Sequence, residues 1–558
     1  MVAQFLRFVY KDISGLHEAA YVLAFFAFLS QILGLVRDRM LAHIFGAGAD
    51  LDIYYAAFRV PDFLYVTIAS LVSLSVLIPF FANRVEFGEE KGKGFISHVF
   101  TFFGVSILFV SAVAFALMPY IADVLYAGFS AEQRESVVLL SRILLLSPIF
   151  LGISNLFGSI TQVFRRFFLY ALSPLLYNIG IIGGIVFLQP HYGLAGVGIG
   201  VVIGAFLHMC IQVPYIWNIG YLPTIRFKGA FTDMVRVITL SLPRTLTLSI
   251  HQIVLIVLVG FATTLAEGSI SVFTFSFNLQ SVPLVIIGVS YSVAAFPTLA
   301  RLYAQGHFEE YTRQILTATR HIVFWSLPAI VLFIVLRAQI VRTILGSGAF
   351  DWTATRLTAA TLALLIISLM FQALTLLFVR GYYASGRTWY PLVINAIGSA
   401  VMVSSALFFH WLFMNSLLVQ YFFESLLKVQ GLPGTSILML AFGYSFGFAV
   451  NGLLFYILAQ REFPQFNRVV SRVFFQSLSA SVIMGFTAYH FLIVFADIFD
   501  LSTLLGIFLQ GAVSGVLGIL AGAIMLYALG SHELREVSKA LHTRFLVRGT
   551  ISPDREQM

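Results

Sequence analysis

Six charged side chains lie within or beside apolar stretches near the start of the chain. They are Arg37, Asp38, Arg39, Asp52, Arg59 and Asp62. A charge in the hydrocarbon region of a bilayer costs a few kcal/mol or more, so each of these residues needs a partner or a function. The planar fork of a guanidinium group suits phosphate oxygens. The arginines of this set therefore favour a cavity that binds an anionic ligand.

The spacing of these charges predicts that they share one depth. The turn 46–48, Gly-Ala-Gly, separates two helical stretches, and Arg37 and Arg59 stand about equally far from it. At 1.5 Å per residue, both are roughly 12 Å deep from the same side. Asp52 lies two turns before Arg59 and shares its helical face. A second interpretation stays open, in which ion pairs only hold the two helices together. Those pairs would join Arg37 or Arg39 to Asp52 or Asp62.

Two further polar residues are candidates for the same cavity. Arg244 follows Pro243 in an apolar stretch with no acidic residue nearby in sequence, so its side chain is expected to face a central cavity. Asn278, in another apolar stretch, could line a cavity or bridge two helices. The candidate ligand-binding residues are Arg37, Asp38, Arg39, Asp52, Arg59, Arg244 and Asn278.

The sequence lacks the usual signatures of catalysis and of bound groups. It contains no HExxH, CxxC or GxSxG pattern, and its few carboxylates offer no convincing catalytic pair. With Cys210 as its one cysteine, neither an internal disulfide nor a cysteine metal cluster is expected. We predict that the protein is not an enzyme and uses no metal or other cofactor.

The composition defines the elements that must position these residues. The chain has 558 residues, of which 59% are hydrophobic and 10% are charged, and its mean hydropathy is +0.94. A helix needs about 20 apolar residues to cross a bilayer, and such runs recur along the whole chain. The net charge of +8 then describes loops at an anionic lipid surface, and no nucleic-acid partner is expected. The predicted fold class is an all-α polytopic membrane protein.

The apolar runs predict fourteen transmembrane spans. They cover roughly 20–45, 50–82, 95–125, 136–162, 168–189, 193–218, 236–263, 269–300, 320–345, 357–380, 388–413, 436–460, 473–497 and 502–529. With the N-terminus inside, 23 of the 33 basic residues fall in inside segments and 5 in outside segments. This bias predicts that both termini are cytoplasmic.

Two landmarks recur along the chain at a nearly constant distance. Pro79 and Pro297, near the ends of spans two and eight, are 218 residues apart, and Asn178 and Asn395 are 217 apart. A six-helix unit that is used twice in the same orientation explains both distances. The predicted organisation is an interfacial segment at 1–19, an N-lobe at 20–235, a C-lobe at 236–472, spans thirteen and fourteen at 473–530, and a solvated basic tail at 531–558.

The run SQILGLVRDRMLAHIFGAGADLDIYYAAFRVPDFL closely resembles the signature hairpin of the MurJ/MviN lipid II flippases. These proteins belong to the multidrug/oligosaccharidyl-lipid/polysaccharide exporter (MOP) superfamily. The matching positions are Gly34, Arg37, Asp38, Phe45, Gly46, Ala47, Gly48, Asp52, Ala57, Phe58, Arg59 and Pro61. Fourteen spans in a six-plus-six-plus-two organisation also resemble this family.

The resemblance implies a transporter of lipid II, the undecaprenyl-diphosphate-linked peptidoglycan precursor. It would move this lipid from the cytoplasmic to the outer face of the bacterial inner membrane. The two lobes would alternate access to a cationic cavity, and spans thirteen and fourteen would form a groove for the polyprenyl tail. The implied partners are the lipid substrate and membrane lipids, with the cell-wall synthesis machinery as a further candidate.

Some positions depart from the family pattern. Where family members carry a further Arg pair and an Ala-Glu-Gly segment, this chain has Tyr65-Val66 and Ala69-Ser70-Leu71, and Phe277-Asn278 stands where Asp-Arg is usual. Arg39 and Arg244 could supply cationic groups instead. Two alternatives stay open: a flippase for another polyprenyl-linked glycan, of O-antigen or exopolysaccharide type, and a non-transporting membrane scaffold. A drug/cation antiporter of the same superfamily would need an acidic cavity, and the basic residues argue against it.

Overall fold

The computed structural model describes residues 16–71, 74–227, 231–463 and 465–545. Every regular element in these ranges is helical, and no strand occurs among them. The all-α prediction is therefore confirmed. Residues 1–15 of the predicted interfacial segment and residues 546–558 of the predicted tail lie outside the described residues.

The first helices follow one another with short connections. In chain order they are α1 (Leu16–Phe45), α2 (Ala49–Leu71), α3 (Leu74–Glu86), α4 (Glu89–Leu125), α5 (Ala131–Leu144), α6 (Leu146–Val163), α7 (Phe167–Gly183), α8 (Gln189–Cys210) and α9 (Val213–Asn218). A π-helical turn, Gly184–Leu188, joins α7 to α8.

The remaining helices complete the chain. They are α10 (Phe231–Ala262), α11 (Ser269–Pro283), α12 (Ser290–Ala304), α13 (Phe308–Val335), α14 (Arg337–Leu345), α15 (Trp352–Ile366), α16 (Leu369–Ala384), α17 (Trp389–Asn415), α18 (Leu417–Leu427), α19 (Ile437–Glu462), α20 (Phe466–Val494), α21 (Leu504–Ala528) and α22 (His532–Phe545). A second π-helical segment, Leu284–Val289, joins α11 to α12.

The described helices include many that could span a membrane. Ten helical segments are long and apolar enough to cross one, and the pair α15 and α16, which is bent by 44°, would make an eleventh. One of the ten, Phe167–Asn218, has 52 residues and folds back on itself. The chain is therefore a multi-pass membrane protein. Fourteen spans are compatible with these helices, and that number stays a prediction.

The reversal within Phe167–Asn218 occurs at Gly193, whose φ of 56° and ψ of −136° suit glycine. It brings α7 and α8 together as an antiparallel pair. A Cβ on Gly180 would lie 2.2 Å from the Cα of Gly204, and a Cβ on Gly184 would lie 2.5 Å from the Cα of Gly200. Small residues permit such backbone contact between membrane helices. The spacing of this helix pair therefore depends on its glycines.

The described residues divide into two compact units. Unit 1 lies within Met1–Val282, Val341–Leu365 and Arg387–Asn451. Unit 2 lies within Pro283–Ile340, Ile366–Gly386 and Gly452–Met558. The predicted N-lobe at 20–235 and C-lobe at 236–472 rest on the sequence repetition and stay predictions.

The C-terminal tail begins with a helix, α22, in unit 2. Glu533 at its start is 2% exposed, and its Oε1 accepts a hydrogen bond from the Nε–H of Arg320 on α13 over 2.8 Å. A carboxylate can be buried in this way because the guanidinium offsets its desolvation. The prediction of a solvated tail is therefore wrong for the first residues of the tail.

Candidate ligand-binding cavity

The turn 46–48 joins α1 to α2. Helix α1 ends at Phe45 and α2 begins at Ala49. Gly46 has a φ of 64°, and a Cβ at this position would lie 2.7 Å from the carbonyl oxygen of Ala349. The positive φ and the short distance to Ala349 both require glycine at position 46. This turn fixes how the two helices present their charged residues to each other.

Unit 1 contains a cavity of about 310 Å³ between α1, α2, α7, α10 and α11. Its lining combines two guanidinium groups and one carboxylate with amide, hydroxyl and aromatic side chains. The lining residues are Arg37, Leu41, Tyr54, Tyr55, Phe58, Arg59, Asp62, Tyr177, Ile181, Gln252, Leu255, Thr274, Phe277 and Asn278. The two arginines expected at one depth thus border the same space.

A chain of hydrogen bonds holds Arg37 on the cavity wall. Its Nε–H and Nη2–H donate to Oδ1 of Asp38 over 3.0 and 2.8 Å, and its Nη1–H donates to Oδ1 of Asn178 over 3.4 Å. Asp38 is 3% exposed, and its Oδ2 accepts from Nδ2 of Asn278 over 2.9 Å. These bonds connect α1, α7 and α11. They orient the guanidinium group of Arg37, whose side chain is 24% exposed.

Arg59 lies in a different environment. Its Nε–H is buried and has no hydrogen-bond partner among the described residues. Asp62, three residues further along α2, lines the same cavity, and its negative charge favours the nearby cation. A buried donor without an acceptor carries a desolvation penalty. The site is therefore suited to a ligand that brings an acceptor.

Asp52 lies outside the cavity lining. Its Oδ2 accepts from the N–H of Gly268 over 2.7 Å, and its Oδ1 accepts from the N–H and the Oγ–H of Ser271 over 2.8 and 2.6 Å. These donors belong to the start of α11, where N–H groups lack helical partners and the helix dipole favours a carboxylate. In this structure Asp52 caps α11.

Arg39 and Arg244 also lie outside this lining. The Nη1–H of Arg39 donates to the carbonyl oxygens of Thr343 and Ile344 over 2.7 and 3.1 Å. Those carbonyls end α14, where a cation is favoured. Arg244 is half-buried on α10. Of the seven candidate residues, the lining includes Arg37, Arg59 and Asn278.

The ion pairs of the scaffold hypothesis are not formed in the part of the chain that the structure describes. There, neither Arg37 nor Arg39 pairs with Asp52 or Asp62. The aromatic side of the cavity was not predicted from the sequence; it consists of Tyr54, Tyr55, Phe58, Tyr177 and Phe277. A signal was available on α2, because positions 54, 58 and 62 recur every four residues and share one helical face.

The cavity has the chemistry of a binding site for an anion. Its two guanidinium groups present N–H donors to this space, with Asp38 and Asp62 balancing their charge, and its aromatic faces offer apolar contact. Across the described residues, no group of three or more His, Cys, Asp or Glu side chains could hold a metal ion.

Solved membrane transporters share this fold. A structure described as a lipid II flippase MurJ in an inward closed conformation matches with a TM-score of 0.72 at 23% identity, covering 93% of this chain and 100% of that chain. An inward-facing MATE-family multidrug transporter of the MOP superfamily matches with a TM-score of 0.63 at 16% identity, covering 79% of this chain and 96% of that chain. The chain therefore shares the all-helical fold of these solved proteins.

Sequence similarity then defines the family. The family model described as lipid II flippase MurJ matches residues 41–510. The chain is 29% identical over 377 residues to a probable lipid II flippase MurJ of Thermotoga maritima, covering 68% of this chain and 76% of that protein. It is 26% identical over 484 residues to one of Haemophilus influenzae, covering 83% and 90%. This chain belongs to the lipid II flippase MurJ family and is a multi-pass protein of the inner membrane.

Proposed function

We propose that this chain moves lipid II, the undecaprenyl-diphosphate-linked muropeptide, from the cytoplasmic to the outer face of the inner membrane. The family match over residues 41–510 supports this function. It begins four residues after Arg37 and includes the last part of α1 and all of α2, α7, α10 and α11, the other helices that border the cavity of unit 1.

The observation that carries the proposal is the pairing of Arg37 and Arg59 in one cavity. Both guanidinium groups line the same space, and the buried Nε–H of Arg59 lacks a partner among the described residues. A diphosphate supplies several charged acceptor oxygens, and guanidinium groups bind such oxygens strongly. We therefore assign diphosphate binding to Arg37 and Arg59, with Asp38 and Asn278 positioning Arg37.

The transport cycle is proposed to be alternating access by two six-helix lobes, with both termini in the cytoplasm. The excess of basic residues in the predicted inside segments supports this orientation. We propose that three residues outside the cavity lining also support the substrate site. They are Arg39, Asp52 and Arg244. The cell-wall synthesis machinery is a proposed partner.

The polyprenyl tail is proposed to bind beside the predicted spans thirteen and fourteen, at 473–530. Unit 2 contains an apolar cavity of about 620 Å³, and its walls include Met484 of α20 and Ile519 and Leu526 of α21. An apolar wall favours a hydrocarbon tail because burial removes the tail from water. This cavity supports the tail site.

A second candidate function is the transport of another polyprenyl-linked glycan. It is favoured by Phe277 and Asn278, which border the cavity at positions where resembling proteins carry Asp-Arg. Because this cavity lacks the charges of that Asp-Arg pair, it suits a lipid head group whose charge differs from that of lipid II. Both candidates keep the diphosphate and differ in the glycan.

The two candidates are separated by complementation of a bacterial cell depleted of its own lipid II flippase. The unmutated chain should restore growth and should make lipid II accessible on the outer face of the inner membrane. If the chain reaches the membrane at normal abundance and lipid II stays inaccessible, the lipid II assignment is wrong. Restored export of an O-antigen or exopolysaccharide unit in a cell that lacks that flippase would support the second candidate.

A further inference from the structure

A helix beyond the family match forms part of the wall of the apolar cavity in unit 2. The match ends at residue 510, whereas α22 begins at His532. Leu534 and Val537 of α22 line the cavity together with Trp325 of α13. The two α22 residues are three positions apart and therefore share one face of the helix. Helix α22 thus contributes an apolar face to the wall of the cavity.

The cavity offers water almost no hydrogen bonds. Its polar side-chain atoms are the hydroxyl of Tyr291 and the Nε1–H of Trp325, and Trp325 donates to Tyr291 over 3.1 Å. A buried water needs two to four polar partners, and even apolar cavities of about 150 Å³ stay dry. A hydrocarbon chain is therefore the suitable occupant of this space of about 620 Å³.

A neighbouring face of α22 is tied to α13 by charged groups. The Nε–H of Arg320 donates to Oε1 of Glu533 over 2.8 Å, and these side chains are 21% and 3% exposed. Glu536 lies 3.6 Å from Nη2 of Arg320 and 3.2 Å from Nε2 of His321. Burial opposes the charge of Glu533, but hydrogen bonds from its own N–H, from Arg320 and from Ser531 outweigh burial and keep its pKa below the ordinary value.

Residues 529–531 connect α21 to α22. This connection is short, and Gly530 within it has a φ of 65°. Hinges are often a few residues at the ends of elements that absorb a change in backbone angles. A connection of this kind could absorb a rotation of α22, and the charged contacts of Arg320 oppose such a rotation.

We propose that α22 is a lid over the apolar cavity of unit 2 and that the Arg320–Glu533 ion pair is its latch. This inference rests on the proposed function in one respect, because the chain kept dry behind the lid is the polyprenyl tail of the transported lipid. Removing one partner leaves the other charge buried and uncompensated, which favours opening. An open lid admits water to the cavity.

The test follows water access to Trp325 in the full-length chain, reconstituted in vesicles of phosphatidylethanolamine and phosphatidylglycerol. The other tryptophans, Trp217, Trp352, Trp389 and Trp411, are replaced by phenylalanine. Acrylamide, a water-soluble quencher, then reports on Trp325 alone, which is partly exposed in the closed arrangement. Arg320→Gln and Glu533→Gln should each raise the quenching of Trp325 by roughly twofold or more, because the latch opens.

Two controls separate the lid from general damage. Arg313→Gln removes an exposed arginine from the same helix and should leave quenching unchanged. The exchanged pair Arg320→Glu with Glu533→Arg restores opposite charges and should return quenching toward that of the parent. Thermal unfolding first establishes that the parent and both single variants are folded. Equal quenching in these three proteins would then overturn the lid.

The occupant is tested by adding undecaprenyl phosphate to the vesicles. It should lower acrylamide quenching in the latch variants, because the tail fills the cavity. If phospholipid alone already gives the full protection, acyl chains are the occupant and the assignment to the tail is wrong. Failure of transport in the unmutated chain with a normal lid response would count against the proposed function and leave the lid intact.

Discussion

Asp52 accepts two hydrogen bonds from Ser271, over 2.8 Å from the backbone N–H and over 2.6 Å from the hydroxyl. A second tie runs in the opposite direction, because the N–H of Ala49 donates to Oε1 of Glu267 over 3.0 Å. The starts of α2 and α11 therefore cap each other. Positions 49 and 267 are 218 residues apart, which is the offset of the sequence repeat. The reciprocal caps join points that would be equivalent in the two predicted copies.

Asp52→Ala should lower the stability of the purified protein by about 2 kcal/mol or more, because three donors at the start of α11 lose a charged acceptor. Ser271→Ala should cost less, and the double variant should be about as unstable as Asp52→Ala alone. Thermal unfolding in detergent measures all three. Asp50→Ala, two residues away at an exposed position, is the matched control. Additive losses in the double variant would contradict the shared contact.

Arg59→Gln should reduce lipid II transport roughly tenfold or more while membrane abundance stays normal, because a charged donor to the ligand is lost and no internal bond of its Nε–H is broken. The measurement is complementation combined with immunoblotting of membranes. Arg134→Gln removes an arginine whose ion pair with Asp123 is largely exposed and should transport normally. Full activity of Arg59→Gln would remove Arg59 from the site.

Arg37→Ala should lower both transport and abundance, because it leaves the carboxylate of Asp38 buried without its cation, at a cost of about 3–5 kcal/mol. Adding Asp38→Asn removes that charge and should restore abundance without restoring transport. Recovery of abundance without recovery of transport would separate the structural role of Arg37 from its role in binding. Recovery of transport in the double variant would show that Arg37 serves only to neutralise Asp38.

Gly184→Ala should destabilise the protein by about 1–3 kcal/mol, because its Cβ would meet the Cα of Gly200. Gly183→Ala is an unusually close control, since a Cβ on this adjacent residue has nothing within 4 Å. It should be neutral or slightly stabilising, because alanine favours a helix over glycine. Thermal unfolding compares the two neighbours, and equal losses would mean that α7 and α8 are not in backbone contact.

A cross-link between α2 and α10 should stop transport. The hydroxyls of Thr67 and Ser249 are 2.9 Å apart, so cysteines there approach the separation that a disulfide bridges. In a Cys210→Ala background, which has no other cysteine, oxidation of Thr67→Cys/Ser249→Cys should block transport and reduction should restore it. The two helices belong to different predicted lobes, which the proposed alternating access would separate. The single-cysteine variants are the controls, and unimpaired transport by the cross-linked protein would contradict the separation.

The helices of this fold could be predicted from the sequence because lipid imposes long apolar runs on every span. The turn 46–48 was also readable, since its two glycines punctuate a helical pattern. Counting residues from that turn was enough to predict one depth for Arg37 and Arg59, which line the same cavity. Local periodicity carries this kind of information.

The partners of the charged residues could not be predicted in the same way. Asp52 bonds to Ser271 and Arg39 to Thr343, residues more than two hundred positions away, and no local pattern encodes such pairs. The tail shows the same limit, because its polar composition predicted solvation while Arg320 buries Glu533. Composition predicts whether a charge needs a partner, and the tertiary fold decides which partner it has.

The contact between α7 and α8 also has a consequence for how the chain is made. Gly180 and Gly184 leave a strip of bare backbone on one helix, and Gly200 and Gly204 leave the matching strip on the other. Either helix alone would turn that strip toward lipid, where it forms few favourable contacts. The short reversal at Gly193 keeps the two strips next to each other as the chain emerges. We therefore expect the two helices to leave the translocation channel together and to enter the bilayer as a preassembled hairpin.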